Sequence, residues 1–244
     1  MPMHDWTRVS AGTYHDFHCS WLGELRNRLN EGVLPADHYA QVEQVMESMT
    51  GDLLALRETD PPEGVDAGEG GLAVAVAPPR VRITESIEMD LYSAKARHLV
   101  IRHGSDDRMV ALVELVSPGN KAADYPFRTF LDKSLEVIRQ GINLMVIDPF
   151  PPTPRDPKGI HAAIWAELGG TFAPPGDKPL TLAAYAAGLV KTAYVEPLAV
   201  GDALTAMPLF LKPGRYVPAP LEESYAHTFR GMPRRYRDVL EKGA

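Results

Sequence analysis

Residues 97 to 148 carry the pattern that most constrains how this 244-residue chain can fold. Two segments of strand character, 97–103 and 109–116, are separated by GSDDR, which is short enough to form the turn of a hairpin. Apolar residues then recur at helical spacing over 127–140, and INLMVID at 142–148 has the continuous apolar character of a buried strand. A hairpin that leads into a helix and a further strand predicts an α/β fold in which helices flank a mixed β-sheet.

The flanking segments extend this prediction to a single domain over 1–244. Large apolar side chains recur at steps of three and four over 13–30, which is typical of an amphipathic helix. The segment that begins at Tyr39 fits a helix and a strand, because its apolar positions match both periods. Residues 60–79, rich in proline, glycine and acidic side chains, indicate a mobile loop. The prolines of 149–158 predict a stiff extended segment.

Composition excludes several classes of protein. No stretch approaches the roughly 18 consecutive apolar residues of a membrane span, and the first residues do not resemble a secretory signal. The single cysteine, Cys19, rules out an intramolecular disulfide and fits a cytoplasmic location. A net charge of −7 argues against coating of nucleic acid by bulk electrostatics. The negative net charge is still compatible with a local basic surface. Five basic residues near the C-terminus could form one, namely Arg230, Arg234, Arg235, Arg237 and Lys242.

Glu114 is a carboxylate in the otherwise apolar strand segment 109–116. Burying it costs several kcal/mol unless it is paired, hydrogen-bonded or bound to a metal. Strand alternation places it on the same face as Leu112 and Val116. One interpretation is structural, with Glu114 at the sheet end, partly solvated or paired with an arginine such as Arg102 on the adjacent strand. The other is a functional carboxylate, and the strand pattern alone leaves both open.

The residues around Glu114 bear a family resemblance. VELVSPGNK, the helix that follows it and GINLMVIDP resemble the Uma-type restriction endonucleases, whose sequences have a strand ending in Glu-Val-x-Ser-Pro, a helix, and a strand ending in Val-Asp-Pro. MPMHDW, the Ser-Pro-x-Asn-Lys box and YVPAPLEESY resemble a related bacterial family. These stretches extend from the first residues to Tyr225 and cover most of the chain. The Ser-Pro-x-Asn-Lys box indicates membership of this family more specifically than it indicates nuclease activity.

The resemblance implies the PD-(D/E)XK nuclease fold, with an acidic Mg²⁺ or Mn²⁺ site at the strand ends. Such an ion neutralises charge on the phosphoryl oxygens and lowers the pKa of the attacking water. Glu114 matches the motif glutamate. The upstream aspartate matches best at Asp52, although Gly51 replaces the usual proline, and Asp90 is a rival for that role. Glu43 is a further candidate ligand, and the implied partner is DNA or RNA.

The chain departs from the motif at its lysine. The motif lysine lies two residues after the glutamate, but that position is Val116 here. Lys121, beyond the turn, and Lys133, on the following helix, are the candidates to replace it. The departure keeps a second hypothesis open, in which the protein is an inactive member of the fold that acts as a binding or interaction module. A homodimer is compatible with either hypothesis.

A cluster of histidine, aspartate and cysteine near the N-terminus has two interpretations. Its members are His4, Asp5, His15, Asp16, His18 and Cys19. Imidazole and carboxylate groups on one side of a helix could bind zinc. The pattern favours capping and packing of the first helix instead, because no second ligand pair at metal-site spacing follows.

Overall fold

The computed structural model describes residues 2–43, 97–212 and 214–242. These residues belong to one compact unit, which covers Met1–Val45 and Tyr92–Ala244. The remaining unit, Met46–Leu91, lies outside the described residues, and so do the predicted loop at 60–79 and the candidate ligands Asp52 and Asp90. The single-domain organisation of the whole chain therefore stays a prediction.

Helix α1 (Ala11–Arg28) confirms the amphipathic pattern near the N-terminus. Ser10 begins the helix, since its hydroxyl accepts a hydrogen bond from the backbone N–H of Thr13 at 3.2 Å. The helix buries a row of large apolar side chains, namely Tyr14, Phe17, Trp21, Leu22 and Leu25. A wider turn follows over Leu29–Val33, where Gly32 adopts φ 130°, a conformation that favours glycine.

Six strands form one mixed sheet. In spatial order they are β1 (His38–Glu43), β2 (His98–His103), β3 (Met109–Leu115), β4 (Asn143–Asp148), β5 (Leu180–Ala187) and β6 (Lys191–Leu198). Neighbouring strands are antiparallel except β3 and β4, which run parallel. The mixed sheet, the β2–β3 hairpin and the buried strand β4 confirm the predictions, and the ambiguous segment at Tyr39 is a strand.

Two helices connect β3 to β4. Helix α2 (Pro118–Ala122) is a single turn, and Asn120 Oδ1 at its start accepts hydrogen bonds from the backbone N–H and the hydroxyl of Ser117, at 2.8 and 2.9 Å. Helix α3 (Asp124–Arg139) begins three residues before the predicted 127–140 segment. Gly141 ends it with φ 81°. A helix in this position is the usual way to join two parallel strands.

The remaining elements cover the two faces of the sheet. They are α4 (Ile160–Glu167), the hairpin of β7 (Met207–Lys212) and β8 (Arg215–Ala219), α5 (Leu221–Gly231) and α6 (Arg234–Glu241). Helices α1 and α5 pack together, and an aromatic cluster that includes Trp6, Phe17, Trp21 and Tyr225 fills the core beside them. Helix α3 contacts β4 and β5, and helix α4 contacts β5 and α3. None of the described helices has the length and apolar character needed to cross a bilayer.

Candidate functional site

Glu114 lies in the centre of a buried ionic cluster on β3. Its Oε1 is 2.7 Å from Nζ of Lys133 and 2.8 Å from Nδ1 of His98. The hairpin register pairs Leu99 with Val113, which brings His98, at the head of β2, beside Glu114. Lys133 extends from α3 and completes the cluster, with its Nζ 3.4 Å from His98 Nδ1. We call Glu114, His98 and Lys133 the glutamate cluster.

The electrostatics of this cluster favour an ionised Glu114. Burial acts to raise the pKa of the carboxyl, but the charges of His98 and Lys133 outweigh it and hold the pKa at about 2. At the same strand end, His18 Nε2 lies 3.1 Å from the carbonyl oxygen of Leu115, and burial lowers the pKa of His18 to about 4. The carboxylate is therefore negatively charged at neutral pH, and the ammonium of Lys133 neutralises it.

Glu114 is neither partly solvated nor paired with Arg102, but the structural interpretation as such, a buried glutamate held by a basic partner, stays open. Glu114 is only 3% exposed, and its contacts are with His98 and Lys133. Arg102 instead pairs with Glu43, from Nε to Oε1 at 2.9 Å and from Nη2 to Oε2 at 3.1 Å. Glu43 lies on the edge strand β1, and its carboxylate is bound by that guanidinium. Within the described ranges, neither Glu43 nor Glu114 belongs to a group of three residues with metal-ligand spacing.

Lys121 is buried in a different cluster, at the end of β4. Its Nζ lies 2.7 Å from Asp148 Oδ2 and 2.8 Å from Asp156 Oδ2, and it donates to the carbonyl oxygens of Phe150 and Pro151 at 3.2 and 3.3 Å. We call Lys121, Asp148 and Asp156 the lysine cluster. The structure therefore brings Lys133 to Glu114 and pairs Lys121 elsewhere.

The lysine cluster fixes the proline-rich segment at 149–158. This segment has no helix or strand, as predicted, but it turns at 154–155 and 157–158 instead of staying extended. Asp156 accepts a hydrogen bond from the backbone N–H of Thr153 at 2.8 Å within this segment. Burial raises the pKa of Asp148 to about 6; Lys121 opposes this increase and Asp156 adds to it. Sequence reasoning missed both aspartates, although Asp148 ends a buried strand.

His4 and His18 are buried, as the favoured interpretation predicts, and His15 is half-buried. The His4 ring stacks on Phe229 with the centroids 3.9 Å apart, and its Nδ1 lies 2.7 Å from the hydroxyl of Tyr225. Burial lowers the pKa of His4 to about 4. Asp5 caps the turn that follows it by accepting a hydrogen bond from the backbone N–H of Thr7 at 3.1 Å. These contacts give His4 and Asp5 packing and capping roles.

Of the basic C-terminal residues, Arg230 lies on α5, the next three arginines lie on α6, and Lys242 follows α6. Leu240 is the buried anchor of α6, and the guanidinium of Arg235 lies over the ring of Tyr236 at 5.1 Å. Val239 is 38% exposed, so it does not face inward beside Leu240.

Comparisons of the chain with protein-family models, with curated proteins and with solved structures find no match.

Proposed function

We propose that the protein is a metal-dependent nuclease that hydrolyses phosphodiester bonds at the glutamate cluster. The observation that carries this proposal is the 2.7 Å contact between Glu114 Oε1 and Lys133 Nζ. The motif of the resembled family needs a lysine beside its glutamate, and Val116 stands at the usual position. Lys133 supplies that ammonium from the following helix.

Each residue of the glutamate cluster has a role in this proposal. Glu114 offers a hard oxygen ligand of the kind that Mg²⁺ and Mn²⁺ prefer. The bound ion would polarise the phosphoryl group and lower the pKa of a water molecule. Lys133 would stabilise negative charge on the phosphoryl oxygens, and its side chain is 21% exposed, which gives it access to a substrate. The other predicted ligands, Asp52 and Asp90, lie outside the described residues.

One observation favours the alternative, a non-catalytic binding module. Lys133 and His98 already hold the pKa of Glu114 at about 2, so the carboxylate is stable in its strand without an ion. In that case the cluster is structural, and the nucleic acid or protein partner binds elsewhere. In either case we propose a cytoplasmic protein, since Cys19 is a free, half-buried thiol. Homodimerisation stays a prediction.

The two candidates are separated by Mn²⁺ calorimetry and by nicking of supercoiled DNA and cleavage of single-stranded RNA. The variants are Glu114→Gln and Lys133→Met, and Asp132→Asn is the matched control because its carboxylate is exposed on the same helix. We expect the wild type and Asp132→Asn to bind Mn²⁺ and to cleave. Glu114→Gln should lose cleavage, and Lys133→Met should lose at least about a hundredfold in rate.

Two results would reject the nuclease. In the first, the wild type neither binds Mn²⁺ nor cleaves DNA or RNA. In the second, the wild type binds nucleic acid without cleaving it, and Glu114→Gln binds it with the same affinity. That outcome is expected for the binding module. Circular dichroism of each variant checks that a loss of cleavage is not a loss of folding.

A further inference from the structure

A further cluster of polar side chains lies at one end of β1 and β2, opposite to the end at which Glu43 lies. It consists of Asp37, His38 and His103, each of which offers one ligand atom within 4.8 Å of the others. Asp37 Oδ1 is 2.7 Å from His38 Nδ1, and Asp37 Oδ2 is 3.3 Å from His103 Nε2. The two imidazoles thus face a single carboxylate.

The backbone holds these three residues in place. The antiparallel register pairs His38 directly with His103, and the ring centroids are 4.8 Å apart. The carbonyl oxygen of Asp37 accepts a hydrogen bond from the N–H of Gly104 at 2.8 Å, and the N–H of His103 donates to the carbonyl oxygen of Arg108 at 2.9 Å. Two neighbouring strands therefore fix the ligand directions before any ion binds, which reduces the ordering needed for binding.

The polar atoms around the imidazoles also point to a ligand. The His38 side chain is only 3% exposed, and its Nε2 is buried without a hydrogen-bond partner among the described residues. It is Nδ1 of this ring, and not Nε2, that faces Asp37, so Nδ1 is the atom His38 offers beside that carboxylate. His103 Nδ1 lies 2.8 Å from the hydroxyl of Ser105 and 3.7 Å from Asp106 Oδ1. Such outer contacts typically orient a histidine that ligates a metal through its other nitrogen.

We propose that Asp37, His38 and His103 bind a divalent ion of the Zn²⁺ class. Two imidazoles and one carboxylate suit zinc better than magnesium, which prefers an all-oxygen environment. Three protein ligands leave the fourth tetrahedral position open. Asp37 and His38 also line a cavity of about 560 Å³, whose other walls include Lys212 and Arg215. A water molecule or a small anion would take the fourth position.

This site is independent of the nuclease proposal. It does not include Glu114, and its ligands are nitrogen-rich where the glutamate cluster would take Mg²⁺ or Mn²⁺. Zinc binding is therefore expected whether or not the glutamate cluster is catalytic, and Glu114→Gln separates the two proposals experimentally.

The test is calorimetric titration of the full chain with Zn²⁺, together with visible absorption after titration with Co²⁺. The variants are Asp37→Asn and His103→Ala; His38 is left intact because it is buried and its replacement can unfold the protein. His15→Ala is the matched control, since His15 Nε2 lies 3.6 Å from Cys19 Sγ and this pair is the competing zinc ligand set. Thermal unfolding without metal checks that all variants are folded.

We expect one Zn²⁺ per wild-type chain and a Co²⁺ absorption band typical of tetrahedral coordination. Asp37→Asn and His103→Ala should each weaken Zn²⁺ binding by more than about tenfold, by analogy with the losses seen for outer-shell partners of metal ligands. His15→Ala and Glu114→Gln should bind as the wild type does. The proposal is overturned if the wild type does not bind Zn²⁺, or if His15→Ala loses binding while Asp37→Asn and His103→Ala retain it.

Discussion

The glutamate cluster and the lysine cluster lie on adjacent parallel strands and are built with opposite charge ratios. In the glutamate cluster one carboxylate meets two basic groups, His98 and Lys133. In the lysine cluster one ammonium meets two carboxylates, Asp148 and Asp156. The pKa values differ in the direction that these ratios of carboxylates to basic groups predict. The pKa of Glu114 is held at about 2, while that of Asp148 is raised to about 6. Two carboxyl groups that are both buried thus have pKa values shifted in opposite directions.

Exposure separates the clusters further. The Lys121 side chain is 3% exposed, and its ammonium is surrounded by two carboxylates and two backbone carbonyls. Lys133 is 21% exposed, so its ammonium can reach solvent when Glu114 is changed. An enclosed ion cluster that holds a loop in place is a structural device, whereas a cluster with one accessible member is open to a ligand. Lys121 therefore has the surroundings of a structural residue, and Lys133 is the more accessible of the two lysines.

The largest effect should come from Lys121→Met. The substitution removes the cation that neutralises two buried carboxylates, and loss of one partner from a buried ion pair destabilises by about 3–5 kcal/mol. We expect a decrease of that size in the free energy of unfolding, measured by urea denaturation at pH 7.

Lys133→Met is the matched control for that prediction. Glu114 keeps His98 as a partner in this variant, and the lost ammonium was partly solvated. We therefore expect a smaller decrease in the free energy of unfolding than for Lys121→Met. Equal decreases for the two variants would show that the difference in exposure between Lys121 and Lys133 does not affect the free energy of unfolding.

The pH dependence of stability should distinguish the clusters by sign. The pKa of Asp148 is raised above its usual value of 3.8 to about 6 in the folded protein, so the folded state binds the extra proton between these values. Stability from this group is therefore present at low pH and falls as the pH rises from about 4 to about 6. An upper limit is about 3 kcal/mol, since a tenfold change in a protonation equilibrium corresponds to about 1.4 kcal/mol.

Asp148→Asn should remove this pH-dependent loss. We expect the urea midpoint of the wild type, measured relative to that of the variant, to fall between pH 4 and pH 6.5. Glu114 has the opposite sign, because its lowered pKa contributes stability that is present above about pH 4.5 and is lost as the pH falls toward 2. Parallel profiles for the wild type and Asp148→Asn would contradict the assignment of a raised pKa to Asp148.

The sequence predicts the framework of these clusters better than their partners. The strands, α3 and the order of elements from 97 to 148 are local patterns, and they are confirmed. His98 could not be assigned to Glu114, because a shift of one residue in the hairpin register would turn it to the other face. Lys121 could not be assigned either. Its partner Asp156 lies beyond β4 and the prolines, and sequence spacing gives no direction for a side chain on a one-turn helix.

The smallest effect should come from Asp124→Asn, which removes an ion pair from α3 to Arg155 on the proline-rich segment that Lys121 anchors. Asp124 Oδ1 lies 2.7 Å from Arg155 Nε, a distance as short as that between Lys121 and Asp148. The Asp124 side chain is 93% exposed, however, so water and salt screen the pair and its loss should leave the urea midpoint unchanged within error. A large shift for Asp124→Asn would mean that contact distance, and not burial, determines what an ion pair contributes to this segment.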